Sequence, residues 1–389
     1  MSEVSIVKTR LLGSLFKKSV SRVLGHDGAY SVPLDEGRVF WSFGDTLLGS
    51  ERRGYDPKKI NIDDWLTKDA WVKENILMTS NSALIADTND ICTLMKTGYS
   101  YYVHQRKVGN QRLTEAREII PVPEKLITKK IRTAFWPMDG ISVDGKLYVY
   151  YLMVKYHPLV LYATGVLKSH QPYEKFTRVP SSVPISPDDI LDPSEKRFAW
   201  WNNMSRTKGQ EVPNFGTAVL KKVLDGFIYV YGSQVVKIKE NLVHVVTLAR
   251  VNKENVDDVA KYEYLTEAPS TQNNFTFRWG GDPRESVRIF DGNANEMSVS
   301  YNPYLSKYLS FYSTATILEP EIHMRFSEEP EGPWSAPIVV FKPKRSCSID
   351  FCYAAKEHPE YSVENGKKTY LTYVSHQRYY PELLEIEFE

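Results

Sequence analysis

The chain has 389 residues, with 49 Lys and Arg against 48 Asp and Glu and a formal net charge of +1. No block of about five like charges and no apolar window of about 18 residues occurs, which argues against a nucleic-acid groove, a basic membrane patch and a membrane-spanning helix, and favours a neutral substrate over a polyanion. Hydrophobic residues make up 42%, enough for a large core, while three Cys (Cys92, Cys347 and Cys352) form neither a disulfide framework nor a CxxC metal pair.

The stretch from Met1 to Phe16 carries Lys8 and Arg10 but has no continuous apolar core and no clear cleavage site. The protein is expected to be soluble: cytoplasmic as it stands, or secreted or periplasmic if a signal peptide has been removed.

Beyond it the chain repeats one pattern: a strand, a tight turn, and an aromatic-rich strand. The repeats begin at Asp27 (DGAYSVPLDEGRVFWSFGDTLL), Asp139 (DGISVDGKLYVYYLM), Phe215 (FGTAVLKKVLDGFIYVYG), Asn295 (NEMSVSYNPYLSKYLSFY) and Tyr353 (YAAKEHPEYSVENGKKTYLTYV). Their turns fall at Glu36-Gly37, Asp144-Gly145, Asp225-Gly226, Asn302-Pro303 and Asn365-Gly366, dipeptides that favour hairpins. The 25 Tyr, 16 Phe and 8 Trp suit pleated, half-buried surfaces and offer flat rings for stacking.

Further strand-like runs follow each hairpin: Ser82 to Ala86 with Cys92 to Lys96, Leu159 to Leu167, Val243 to Val251, Ile322 to Phe326 with Ile338 to Phe341, and Leu383 to Phe388. Four strands per unit and five units predict an all-β fold, a five-bladed β-propeller spanning residues 1–389 as a single domain. The mean period of about 75 residues exceeds the usual repeat of about 40–50, so the inter-strand loops are long. A large β-sandwich is the alternative, but it does not require five similar hairpins. Short helices are expected at Ile60 to Trp71 and Asn255 to Tyr262, and long polar loops at Arg197 to Glu211 and Ala268 to Glu285.

The first hairpin carries the most chemistry. Asp27 lies nine residues before Glu36, the centre of its turn, and Asp45 nine residues after it. In an antiparallel pair such residues face each other, with Cβ atoms roughly 4.5–5.5 Å apart. Two carboxyls at that range do not both ionise cheaply, so one is expected to hold a proton at raised pKa. An acid beside a carboxylate is what glycoside hydrolysis requires, and close spacing suits retention of configuration through a covalent intermediate. The bland alternatives are an Asp-Gly turn at Asp27 and a strand-end cap at Asp45.

First strands of propeller blades line the central channel, so Asp139 and Glu296 are expected to join Asp27 around one mouth. The Trp200-Trp201 pair, followed by Asn202-Asn203, reads either as a sugar-stacking platform or as a pin holding its loop to a blade. Trp136 fits either packing or substrate binding, and Trp41 fits packing between blades. Asn81, Asn214, Arg278 and Arg284 are candidate hydroxyl-binding residues by position. His26 and His376 are candidate acid/base groups, although His26 and Asp27 point to opposite faces of a strand. No HExxH, Cys/His cluster, GxSxG, Walker loop or GxGxxG is present, so no cofactor is expected, and a structural calcium ion in the channel stays open because oxygen ligands leave little trace in sequence.

The run DGAYSVPLDEGRVFWSFGDTLLG resembles the opening signature of five-bladed propellers grouped as domain-of-unknown-function families 4185 and 5005, some of which are endo-D-arabinanases of glycoside hydrolase family 183. WPMDGISVDGKLYVYY from Trp136 and the C-terminal YAAKEHPEYS with YLTYVSHQRYYPEL are similar to the same pattern, so the likeness spans nearly the whole chain. It implies catalysis by the paired aspartates of the first blade, which match Asp27 and Asp45. The HDGAYS context of Asp27 departs from the Thr-Asp-Leu-Gly run of the arabinanases. A more distant likeness to furanosidase propellers implies a pKa-tuning or substrate-binding role for Asp139.

These features predict a glycosidase acting on furanosidic linkages of an oligo- or polysaccharide such as D-arabinan. Asp27 and Asp45 would be catalytic, and Asp139, Trp136, Asn81, Asn214, Glu296, Trp200, Trp201 and Tyr353 would bind substrate. The protein is expected to be a monomer. A carbohydrate-binding or interaction propeller without catalysis is the alternative, and a lyase using a Tyr or His at the same mouth is a third reading.

Overall fold

The computed structural model describes residues 4–17, 21–49, 77–123, 126, 132–156, 159–183, 192–203, 212–221, 225–238, 240–268, 276–292, 296–314, 319–344, 351–376 and 379–389. Among these residues, five antiparallel sheets of four or more strands follow one another along the chain. Their first strands are Tyr30–Pro33, Arg132–Val143, Asn214–Lys221, Met297–Asn302 and Cys352–Glu357, each paired with the next strand in sequence. The last sheet takes its outermost strand from the beginning of the chain: Ile6–Ser14 pairs with Pro381–Phe388, Ile6 opposite Phe388.

Turn chemistry sets each hairpin. Asp144 and Gly145 sit at φ 49° and 72° between Val143 and Lys146, the double left-handed geometry that matches strand twist. Glu36 and Gly37 are likewise at φ 63° and 72°. In the fourth hairpin the Asn302 side chain accepts from Leu305 N–H at 3.0 Å, closing the turn centred on Tyr304 and Leu305. All five hairpins expected from the sequence are present as antiparallel pairs.

Apolar clusters fill the spaces between successive sheets. Tyr150 and Met138 of the second sheet pack with Phe215 and Val230 of the third, and Tyr231 of the third with Met297 and Tyr312 of the fourth. The fourth and fifth share a cluster containing Phe311 and Leu371. Between fifth and first, Trp41 is fully buried with Tyr361 and Leu383, and its Nε1 donates to Tyr361 Oη at 3.0 Å. Sheets packed face to face in a closed succession, with their first strands around a common cavity, make a β-propeller. The abundant rings are the packing between its blades.

Some local expectations are corrected. The Cys92 to Lys96 run is not a strand: Ile91–Leu94 is a helical turn, because the Asp90 side chain caps it by accepting from Thr93 N–H at 2.7 Å. The short helix expected at Asn255 to Tyr262 is a single 3-10 turn, Val259–Lys261, with a second, Lys253–Asn255, just before it. Of the expected long loops, Trp201–Asn202 and Arg278–Gly280 are short strands added to their sheets. The helix expected at Ile60 to Trp71 lies outside the described residues. Among the described residues no helix is long and apolar enough to cross a membrane.

Candidate active site

The register of the first hairpin decides where its two aspartates go. His26 pairs with Thr46 and Tyr30 with Ser42, so Asp27 stands opposite Asp45. Asp27 N–H donates to the Asp45 carbonyl at 3.1 Å, and Gly44 N–H donates to the Asp27 carbonyl at 3.0 Å. Gly44 has no side chain to spare here: a Cβ on it would lie 2.3 Å from Asp27 Oδ1. The Asp27 carboxyl therefore rests over the Gly44 backbone. Gly28 holds φ 62°, bending the chain between the carboxyl and the inner strand that begins at Tyr30.

The two carboxyls have different surroundings. Asp45 is buried; Trp136 Nε1 donates to its Oδ1 at 3.3 Å and Tyr156 Oη to its Oδ2. Trp136 and Tyr156 brace each other edge to face, with centroids 5.9 Å apart. Asp27 is half-buried and receives Tyr353 Oη on its Oδ2 at 3.3 Å, with Tyr379 as a second hydroxyl partner. Burial pushes the Asp27 carboxyl well above its ordinary range, and the negative charges of Asp45 and Glu296 push it further, outweighing the two tyrosine hydroxyls. The first hairpin thus presents two opposed carboxyls, each with two donors from other blades, of which Asp27 is held well above its ordinary range.

Glu296 approaches from the start of the fourth inner strand; a Cβ on Gly28 would lie 3.8 Å from its Oε1. That same oxygen is held by Lys356 Nζ at 3.2 Å. Lys356 is buried in the fifth inner strand, with its ammonium 4.0 Å from the Tyr30 ring centroid. Asp27, Asp45, Trp136, Glu296 and Tyr353 are therefore brought together from four blades at one end of the channel.

The other expected residues have different roles. Asp139 uses both oxygens on backbone: Oδ1 accepts from Gly140 N–H at 2.8 Å and Oδ2 from Val219 N–H at 2.7 Å, tying the second inner strand to the third. Burial nevertheless pushes its carboxyl up to about 7. Asn214 opens the third inner strand opposite Ser233, with its Oδ1 buried and without a hydrogen bond.

Trp200 and Trp201 do not form an exposed stacking platform. They are only 5% and 2% exposed, and their indole N–H groups go to Val179 O at 2.9 Å and Tyr264 Oη at 2.7 Å, so the pair pins its segment to the sheets. Asn81 is likewise committed to the fold. It is fully buried; its amide donates to Ile120 O and Phe135 O, and its carbonyl accepts from Ile119 and Ile120 N–H.

Arg278 pairs with Glu267, and Arg284 with Asp282. His26 is buried, stacked 3.8 Å from Phe43 and bonded to Tyr101 Oη, which places it in the core. His376 is buried and stacked 4.5 Å from Phe351. Among the described residues no group of three or more His, Cys, Asp or Glu side chains gathers as cation ligands would.

Tyr156, Tyr379 and Lys356 were not visible as site residues in the sequence. Each is one aromatic or basic residue in a strand-like run, and only the meeting of separate sheets gives it a partner. A lysine inside the apolar run of Cys352–Glu357 was the single local hint.

The fold and site define a β-propeller with acidic and aromatic side chains gathered at one end of its channel. The chain belongs to the DUF4185 family, a domain of unknown function, whose family pattern matches residues 19–384. No curated protein matches it. A solved structure from Bacteroides ovatus, described as a candidate hydrolase, is similar over 97% of this chain and 87% of that one, at 14% identity and a TM-score of 0.60. A family 43 β-xylosidase/α-arabinofuranosidase from a compost metagenome, in complex with xylotriose, aligns over 98% of this chain and 95% of that one, at 14% identity and a TM-score of 0.47. A family 43 enzyme from Xanthomonas citri with xylotriose aligns over 97% and 89%, at 13% identity and a TM-score of 0.48. At 14% identity the likeness to the Bacteroides ovatus structure concerns the fold alone.

Proposed function

We propose that this protein is a retaining glycoside hydrolase, a single five-bladed propeller that cleaves furanosidic linkages, with D-arabinan as a candidate polymer. The observation that carries the reading is the opposed pair of Asp27 and Asp45, with the Asp27 carboxyl raised by burial and by the charges of Asp45 and Glu296.

In the reaction Asp45 attacks the anomeric carbon as the C–O bond to the leaving group breaks, and Asp27 gives its proton to the departing oxygen. The glycosyl ester on Asp45 is then hydrolysed: Asp27, now ionised, takes a proton from water, whose oxygen displaces Asp45 from the anomeric carbon. Each residue ends as it began, and the sequence calls for no cofactor. Glu296 keeps negative charge near Asp27, which favours its role as acid at neutral pH. Trp136 and Tyr353 hold the two carboxyls, and in this reading they also contact the sugar. The furanosidic preference rests on the likeness of the first hairpin to the arabinanase signature.

The test is incubation with plant and bacterial arabinans and with aryl furanosides, with NMR of the first-formed products. Product of the same anomeric configuration as the substrate is expected. Inverted product overturns the retaining mechanism, and binding without turnover on every glycoside points to a carbohydrate-binding module.

A further inference from the structure

All five inner strands contribute to a cavity of about 330 Å³ inside the ring. It is separate from the carboxylate pair. Its lining starts at Ala29 and Tyr30, beyond Asp27 on the first strand, and runs to the exposed Pro33, Tyr301 and Pro359 near the hairpin turns. Tyr301 is 46% exposed, so the cavity opens at the end of the channel opposite the pair.

Its polar groups are unbalanced. Three carboxyls line it: Asp139, Glu357 and Glu360. Among the described lining residues the one ammonium, Lys356, is already committed to Glu296. Asp139 and Glu357 have donors from the fold, the former from two backbone N–H groups and the latter from Ser300 and Thr369. Glu360 is more weakly supplied: neither of its buried oxygens has a hydrogen bond of full geometry, and its nearest side-chain donor, the Ser31 hydroxyl, is shared with His358 Nδ1 at 2.6 Å. Tyr30, only 4% exposed, also lines the cavity with its hydroxyl unbonded. Buried polar groups normally find partners, so two such groups facing one void mark a place where something binds.

The geometry points to a binding site for a small organic primary ammonium, of the size of an amino sugar, held by Glu360 and the Tyr30 hydroxyl in the channel behind the carboxylate pair. An excess of buried carboxyls selects a cation, because each is costly to bury ionised without one. Burial pushes both Asp139 and Glu360 up to about 7 and raises Glu357, as expected of acids short of positive charge. The void is far larger than a bare metal ion, and among the described residues no three acidic or imidazole side chains converge as a metal would require. Apolar walls from Val32, Ile141 and Leu220, with Tyr301 at the rim, suit a carbon skeleton carrying the charge.

The test is calorimetric titration of the whole protein at neutral pH with ethanolamine, glucosamine and glucose, with potassium and calcium chloride run in parallel. Ethanolamine or glucosamine should bind, with glucose at least about tenfold weaker, because the ammonium bonds to a charged group. Glu360→Gln should weaken the ammonium at least about tenfold, and Tyr30→Phe by less, with thermal melts confirming that both variants fold. Asp45→Asn should bind as the parent does, which separates this site from the hydrolase reading. Equal affinity for glucose and glucosamine, preferential binding of a metal ion, or no ammonium binding would each overturn the inference.

Discussion

Gly44 and Asp27 share one space: the Asp27 carboxyl occupies the position where any other residue at 44 would carry its Cβ, 2.3 Å from Oδ1. The opposing backbone thereby sets the direction of the acid. Gly44→Ala should push the Asp27 carboxyl aside while the hairpin pairs as before. Displacements of about 1 Å at a reacting group cost on the order of 100-fold, so kcat/KM should fall by about that factor with an unchanged circular dichroism spectrum. Parent-level activity would show that Asp27 need not lie there.

Tyr156 donates to Asp45 from the second sheet. Tyr156→Phe keeps the ring against Trp136 and removes the donor. A hydrogen bond to a charged group is worth about 1.5–3 kcal/mol, so kcat should drop roughly 10- to 100-fold, with KM changed much less. Steady-state kinetics on an aryl glycoside measure both parameters.

Glu296 shapes the pH profile. Its charge helps to raise the Asp27 carboxyl, and an acid of raised pKa stays protonated to higher pH. Glu296→Gln removes that charge and releases Lys356, and both changes lower the Asp27 pKa. The alkaline limb of kcat/KM should therefore move to lower pH, with the acid limb moving less. An alkaline limb that stays in place would exclude Asp27 as the acid.

Trp201 is a stability residue. Its indole lies among Tyr150, Phe215 and Tyr262 and bonds Tyr264 Oη. Trp201→Ala should cost about 3–5 kcal/mol in denaturant unfolding. KM for oligosaccharide should be unchanged in the folded fraction.

Much of this architecture was legible because it is local. Asp144-Gly145 dictates its own turn, and the spacing of Asp27 and Asp45 about Glu36 set their cross-strand register with no help from the rest of the chain. What was not legible depends on meetings between sheets. Nothing near Trp200 and Trp201 announces that Val179 and Tyr264 will take their N–H groups, so exposure and burial read alike in sequence. Asn81 looked like a hydroxyl binder because its five backbone and side-chain partners come from Ser80, Ile119, Ile120 and distant Phe135. The strand read at Cys92 to Lys96 gave way to a helical turn through one side-chain cap from Asp90. Lys356 acquires its meaning only where the fifth sheet meets Glu296 of the fourth.

The most direct test of the central claim is the turnover of Asp27→Asn and Asp45→Asn on a glycoside that the parent protein cleaves. Each substitution keeps the volume of its side chain and removes one carboxyl. Each should reduce kcat by about 100-fold or more, the scale of positioned acid–base and nucleophilic groups, while thermal unfolding stays cooperative. Parent-level turnover in both variants would contradict the assignment of this hairpin as the catalytic centre.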